Sequence, residues 1–264
     1  MSDVPPAQPT RKLPVEIVVR RAFLFSWESR HILLPPFLIY ATLTILAEVL
    51  VSQIGGADDH RPIYILTAIE QIFAMAFAVG IHRYVLLGEA PAGFGFFRWD
   101  RHFVRYVLVT ILLFILGVLA AVPTASVASG VGPGGVEGMG GATVFFGMAT
   151  LFLAASILVR LALLLPSAAI GDETRAKTIW GMTQGNSFRL IAATLMTVLP
   201  FLIVQAALLR LMPENGGGAI EILVTIAVGL VSPAQLITLT VLLALCYDLL
   251  VRGNGPVVTD SRNI

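Results

Sequence analysis

Six stretches of this chain are each long and apolar enough to cross a bilayer: Ile32–Val51, Ile63–Leu87, Phe103–Val122, Thr143–Leu165, Leu190–Met212 and Ile220–Leu250. A hydrocarbon core asks for about 20 predominantly apolar residues per helix. A chain inside it must also pair every backbone polar group internally. Together these demands leave an all-α fold, a polytopic bundle of six transmembrane helices. Composition agrees: 57% of the 264 residues are hydrophobic and 12% are charged, about half the charged share of a soluble domain.

Orientation follows from where the 17 Lys and Arg residues fall. Arg11, Lys12, Arg20, Arg21 and Arg30 precede or open the first stretch. Arg83, Arg98, Arg101 and Arg105 fall at the inner end of the second stretch and in and around the loop after it. Arg160, Arg175, Lys177 and Arg189 lie around the fourth loop, and Arg252 and Arg262 follow the sixth stretch. Arg61 and Arg210 are the two on the other side. Basic residues of short loops stay in the cytoplasm, so both termini are expected there. A net charge of +1 gives no reason to expect a nucleic-acid partner. The one cysteine, Cys246, lies in an apolar run and excludes a disulfide framework.

The segments outside the spans divide the chain further. Residues 1–13 are rich in proline and small polar groups and read as a disordered cytoplasmic tail. Residues 14–252 form the membrane domain, and 253–264 form a cytoplasmic C-terminal tail. No secretory signal is visible, because about thirty residues precede the first long apolar run. Pro14–Arg30 reads as an interfacial helix that Pro14 opens at its first position. Its packing side is Val15, Val18, Val19, Ala22 and Phe25. Pro35 and Pro36 are expected in the first turn of the first span. Gly229 and Ser232-Pro233 predict a kink in the long sixth span; the alternative is a broken helix lining a substrate site. Pro123–Ala142 and Glu214–Gly218 are glycine-rich and read as flexible outer connectors.

On the inner side, Trp27, Trp99 and Trp180 each precede an outward span and are each followed by a basic residue. That pattern fits three repeated units, and it fits equally the preference of Trp and Arg for the interface. Asp172–Gly185 has the punctuation of a helix: Asp172 as N-cap, Glu173 in agreement with the dipole, and Gly185 in the left-handed conformation after the end. Ala176, Ile179, Trp180 and Thr183 would face the membrane or the bundle, with Arg175 and Lys177 near lipid phosphates.

The stretch RLALLLPSAAIGDETRAKTIWGMTQGNSFRL, from Arg160, and the closing CYDLLVR, from Cys246, resemble the membrane-domain family found in some bacterial glycerophosphoryl diester phosphodiesterases. They are similar also to related, uncharacterised six-span bacterial inner-membrane proteins. The positions that carry the resemblance are Arg160, Pro166, Trp180, Gly185, Asn186, Arg189, Tyr247 and Asp248. It implies a six-span fold in a bacterial inner membrane. In those enzymes the chemistry belongs to an attached soluble domain with no counterpart in these 264 residues, so the resemblance does not imply phosphodiesterase activity.

Polar residues inside the spans are the remaining functional candidates: Glu48, Glu70, Arg160, Gln205, Gln235 and Asp248. Arg160 and Asp248 sit at similar depth on two inward-running spans, which predicts a pair. The alternative sends Arg160 to lipid headgroups and leaves Asp248 near Arg252. His31, His60, His82 and His102 are scattered, so neither a metal site nor a cofactor is expected, and no serine has a histidine base beside it. The expectation is a non-enzymatic inner-membrane protein, a scaffold or accessory in envelope or lipid-related processes. Membrane lipids are its first partners, with a membrane protein or a second copy as further candidates. The alternative is a transporter or channel for a small or amphipathic solute. A polar cavity reaching Glu70 and Gln235 would favour transport; a filled bundle would favour the scaffold.

The orientation is open to a direct test with cysteines at positions 2, 135, 217 and 263 in a Cys246→Ala background. An impermeant thiol reagent on intact cells should label 135 and 217 and spare 2 and 263. Labelling at 2 or 263 overturns the assignment.

Overall fold

The computed structural model describes residues 12–54, 61–90, 93–129, 141–212 and 218–253. These residues are predominantly helical, with no strand among them. The elements are α1 (Val15–Glu28), α2 (Arg30–Ile54), α3 (Arg61–Leu87), a 3-10 turn (Gly93–Phe96), α4 (Arg101–Ser129), α5 (Gly141–Leu161), α6 (Leu164–Ile170), α7 (Ala176–Met182), α8 (Ser187–Leu209) and α9 (Ala219–Tyr247). A π turn at Asp248–Arg252 follows. Six helical stretches are long and apolar enough to cross a membrane: Arg30–Leu50, Pro62–Leu87, Arg101–Ala120, Met148–Ile170, Ser187–Leu209 and Ala219–Arg252. The protein is an all-α polytopic membrane protein. Most of the expected tails, the middle of the glycine-rich connector at 130–140, residues 213–217 and His60 lie outside the described residues.

Element boundaries differ from expectation for local reasons. Pro14 stands just before α1 as its cap, and its carbonyl accepts from Val18 N–H at 3.1 Å. Leu13, assigned to the tail, is 1% exposed and belongs to the core. α2 starts at Arg30, so Pro35 and Pro36 fall inside it rather than in its first turn. They leave the carbonyls of His31 and Ile32 without the usual donor four residues on. α4 continues to Ser129, past the expected end at Val122. The fourth span divides: α5 ends at Leu161, and α6 resumes at Leu164 with Pro166 in its first turn, where a missing N–H is harmless. Gly171, left-handed at φ 77°, closes α6. The sixth span does not break. Pro233 sits within a continuous α9, and the departure from α-geometry comes later, at Asp248.

Why α9 occupies the centre is visible in its sequence. It packs against α1, α2, α3 and α8, and its small residues let neighbours approach. A Cβ on Gly229 would come within 2.5 Å of Ile45 Cγ1 on α2. Toward the end of the bundle that holds Leu13 and Arg252, here the basic end, α9 buries Ile237, Val241, Leu242, Cys246 and Tyr247. The same end collects an aromatic core: Phe77 lies 5.6 Å from Tyr40, 5.8 Å from Phe96 and 5.6 Å from Phe97, ring to ring. Toward the opposite end, exposure dominates, as at Tyr64, Ile65 and Ile69 on α3 and Leu202, Ile203 and Leu209 on α8.

The 3-10 turn docks on α3 through Gly80, where a Cβ would lie 2.1 Å from the Phe96 carbonyl oxygen and 2.6 Å from its ring. Backbone cannot yield as a flexible side-chain tip can. Gly80→Ala should therefore destabilise the fold by about 1–3 kcal/mol, the usual range for overpacking. Gly181→Ala, in α7 with nothing near its Cβ position, should be neutral or stabilising by up to about 1 kcal/mol. Thermal melts of the two variants in detergent check the contrast, and equal melting temperatures contradict it.

Candidate functional site

Arg160 is in the last turn of α5, next to the break at Ala162. It is 8% exposed, and an arginine so placed needs acceptors. It finds them on α7. Its Nε donates to Thr183 Oγ1 at 2.9 Å, one terminal nitrogen donates to the Trp180 carbonyl, and the guanidinium lies 3.7 Å over the Trp180 ring. The Thr183 hydroxyl in turn donates a hydrogen bond to the Ile179 carbonyl at 2.8 Å. Carbonyls of a helix's last turn lack intrahelical donors and carry the negative end of its dipole, which suits a cation.

The expected Arg160–Asp248 pair is not among the ion pairs of the described residues. Asp248 Oδ1 instead lies 3.7 Å from Arg252 Nη1, one turn on, and the same Nη1 donates to the Leu86 carbonyl at 3.3 Å. Similar depth placed the two residues at one level. The break after α5 then turned Arg160 toward a nearer set of acceptors.

The α7–α8 connection also holds the start of the membrane domain. Gly185 takes the left-handed conformation at φ 78°, as expected, and places Asn186 in the core at 1% exposure. Asn186 Oδ1 accepts the Leu13 N–H at 2.9 Å, while Arg189 Nη1 donates to the Leu13 carbonyl at 3.0 Å. Asp172 does not cap α7. The helix starts at Ala176, with Arg175 before it and no side-chain cap. Asp172 instead accepts from the hydroxyl of fully buried Tyr247 at 2.5 Å, with Thr174 Oγ1 3.1 Å from the same oxygen. Of the face expected on this helix, Ile179 and Thr183 are buried, whereas Ala176 and Trp180 are exposed.

Sequence reasoning missed a carboxylate just beyond α3. Glu89 takes both forks of Arg83, Nη2–Oε1 at 2.6 Å and Nε–Oε2 at 2.9 Å, and Arg98 Nη2 at 2.7 Å. Arg83 Nη1 also donates to the Ala169 carbonyl at 3.1 Å, tying α3 to α6. The Arg83 hydrogen bonds, aided by the charges of Arg83 and Arg98, hold the Glu89 carboxyl below its ordinary range against partial burial and Asp100.

Deeper in the bundle, the polar candidates form separate groups. Gln205 Nε2 makes long contacts to Ser232 Oγ at 3.4 Å and Gln235 Oε1 at 3.3 Å, joining α8 to α9 beside Pro233. Glu70 on α3 lies beside Thr44 and within electrostatic reach of Glu48 and Tyr40 on α2. Tyr40, Thr44 and Glu48 recur every four residues, a stripe the sequence displayed and only Glu48 was read from. No hydrogen bond or ion pair between described residues links Glu70 to Gln235. A cleft of about 220 Å³ lies between α1, α2 and α9, and none of the six candidate residues lines it. No group of three or more His, Cys, Asp or Glu suited to a metal occurs among the described residues. His82 is fully buried, 5.8 Å ring to ring from Tyr106.

Comparison with known proteins finds no matching family model, no matching curated protein and no matching solved structure. Fold and spans define a class, the polytopic all-α membrane protein.

Thr183→Val should leave buried Arg160 short of an acceptor and destabilise by about 1–3 kcal/mol. In double-mutant cycles of thermal stability, Arg160→Ala with Thr183→Val should be strongly non-additive, and Arg160→Ala with Asp248→Ala additive. The reverse pattern would restore the Asp248 pairing.

Glu89 provides a pH prediction. Its folded-state pKa is lowered, so the bridge stabilises the protein above the unfolded value of a glutamate, about 4.3. That contribution fades as pH falls through the lowered folded value. Melting temperature should decline more steeply in this acid range for the unchanged chain than for Glu89→Gln. Parallel curves contradict the assignment.

Proposed function

We propose that the chain is a non-enzymatic integral protein of a bacterial inner membrane, with both termini cytoplasmic, that serves as a scaffold or accessory in envelope or lipid-related processes. The observation that carries this reading is the separation of the polar residues. Glu70 on α3 lies near Thr44 and within electrostatic reach of Glu48, exposed on α2; Gln205 and Gln235 lie between α8 and α9; Arg160 and Asp248 lie at the basic end with different partners. A solute pathway needs polar groups strung along one passage; Arg160 instead ties α5 to α7 and Gln205 ties α8 to α9, each apart from the Glu48–Glu70 pair. The distribution of Lys and Arg supports the orientation. The resemblance to the membrane domain of glycerophosphoryl diester phosphodiesterases supports the bacterial inner membrane. Extensive apolar exposure on α4 and α5, including Leu108, Phe114, Leu119 and Leu153, leaves surface for lipid or for a membrane partner.

The transporter reading keeps one specific observation in its favour, the Tyr40–Thr44–Glu48 stripe facing Glu70. Proteoliposomes separate the two. The chain should leave permeability to protons and small amphipathic solutes at the level of protein-free vesicles. A flux abolished by Glu70→Gln or Gln235→Leu would establish transport instead. Purified protein should likewise release no glycerol phosphate from glycerophosphodiesters; turnover that vanishes on substituting one of its acidic residues would overturn the non-enzymatic reading.

A further inference from the structure

We infer that the cleft between α1, α2 and α9 is a binding slot for one acyl chain of a phosphate-bearing phospholipid, in the leaflet at the basic end. Phe23, Trp27, Phe37, Ala234 and Ile237 form apolar walls around the space of about 220 Å³. Two hydroxyl residues complete the lining, and both commit their protons to carbonyls of their own helices. Ser26 Oγ donates to the Ala22 carbonyl at 2.8 Å, and Thr238 Oγ1 to the Ala234 carbonyl at 2.9 Å. What the slot offers is therefore mainly carbon. Phe23 is itself braced from behind by Phe201 of α8, ring stacked on ring at 6.0 Å.

The mouth carries the opposite chemistry. Trp27 is 68% exposed, and the Arg30 guanidinium sits 4.9 Å over its ring while Nη1 donates to the Trp27 carbonyl at 3.1 Å. That hydrogen bond uses one of five guanidinium donors, and the described residues place no carboxylate within ion-pair distance of Arg30. An exposed arginine fixed by a tryptophan is suited to a phosphate oxygen, and tryptophan favours headgroup depth. Phe37 lies seven residues along α2 from Arg30, about 10 Å at 1.5 Å per residue. Phosphate at Arg30 and hydrocarbon at Phe37 therefore follow the order of groups along one phospholipid. The walls contributed by α2 and α9 belong to spanning segments, so acyl chains are the medium in which the slot sits. The slot stands whether the chain acts as a scaffold or as a carrier.

Native mass spectrometry of the full chain, released from detergent containing phosphatidylglycerol, tests the proposal. One lipid should remain on each chain after detergent is stripped. Ala234→Phe and Ser26→Leu fill the space from opposite walls and should each lower retention by tenfold or more. Arg30→Gln should lower it severalfold. Phe114→Ala, on the exposed face of α4, should leave it unchanged. Circular dichroism melts identify which variants fold. Independently of any variant, phosphatidylglycerol with a photoreactive group midway along its chain should cross-link the unchanged protein chiefly at residues 234–238 and near Phe37. Undiminished retention in a folded Ala234→Phe or Ser26→Leu chain overturns the inference. So does a lipid-free chain or lipid-free dimer, or cross-links spread evenly over α4 and α5.

Discussion

Helices in lipid gain little from hiding apolar side chains from one another, because the acyl chains outside are as apolar as leucine. What holds a bundle together there is close packing and the pairing of polar groups that lipid cannot satisfy. This chain gathers both at one end. Arg160 on α7, Leu13 on Asn186 and Arg189, Tyr247 on Asp172, and Arg83 on the Ala169 carbonyl fasten segments well separated in sequence, while Glu89 holds Arg83 and Arg98 locally. The aromatic core around Phe77 lies in the same half. Away from it, the helices keep fewer buried residues and show wide apolar faces.

That asymmetry gives the short elements their purpose. α6, α7 and the 3-10 turn are each too short to be stable alone. α6 and α7 supply acceptors for Arg83 and Arg160, and the 3-10 turn packs Phe96 against Gly80, Phe77 and Tyr84. The Trp27, Trp99 and Trp180 segments stand before the first, third and fifth spans, yet each is used differently. Trp27 carries Arg30, Trp180 receives Arg160 from the preceding span, and Trp99 packs edge-on against Phe73 and Phe103.

The spans were legible because length and hydropathy alone decide them, and the side of α1 that packs was legible from Val18, Val19 and Ala22. Gly185 announced its turn because a left-handed residue after a helix favours glycine. The partners of Arg160 and Asp172 were not legible. Depth along a span is one coordinate, and a break such as that after Leu161 redirects the side chain around the helix axis. Glu89 lies only six residues from Arg83 and nine from Arg98, but no helical or strand periodicity relates positions on either side of the turn between them, so the sequence does not show that they converge. The Tyr40–Thr44–Glu48 spacing, by contrast, was present in the sequence and needed only α3 opposite it to acquire meaning. Function was the least legible part, since polar residues that fasten helices and those that line a pathway are the same residue types.

The central claim is a rigid basic end with more loosely held opposite halves. It is tested most directly by electron spin resonance distance measurements between α3 and α8 in lipid nanodiscs. Spin labels at Leu87 and Phe188 report the basic end, and labels at Tyr64 and Leu209 the other; all four side chains are exposed, and Cys246→Ala removes the native thiol. The account predicts a narrow distance distribution for the first pair and one at least twice as broad for the second. Distributions of equal width, or a broader one at the basic end, would contradict it.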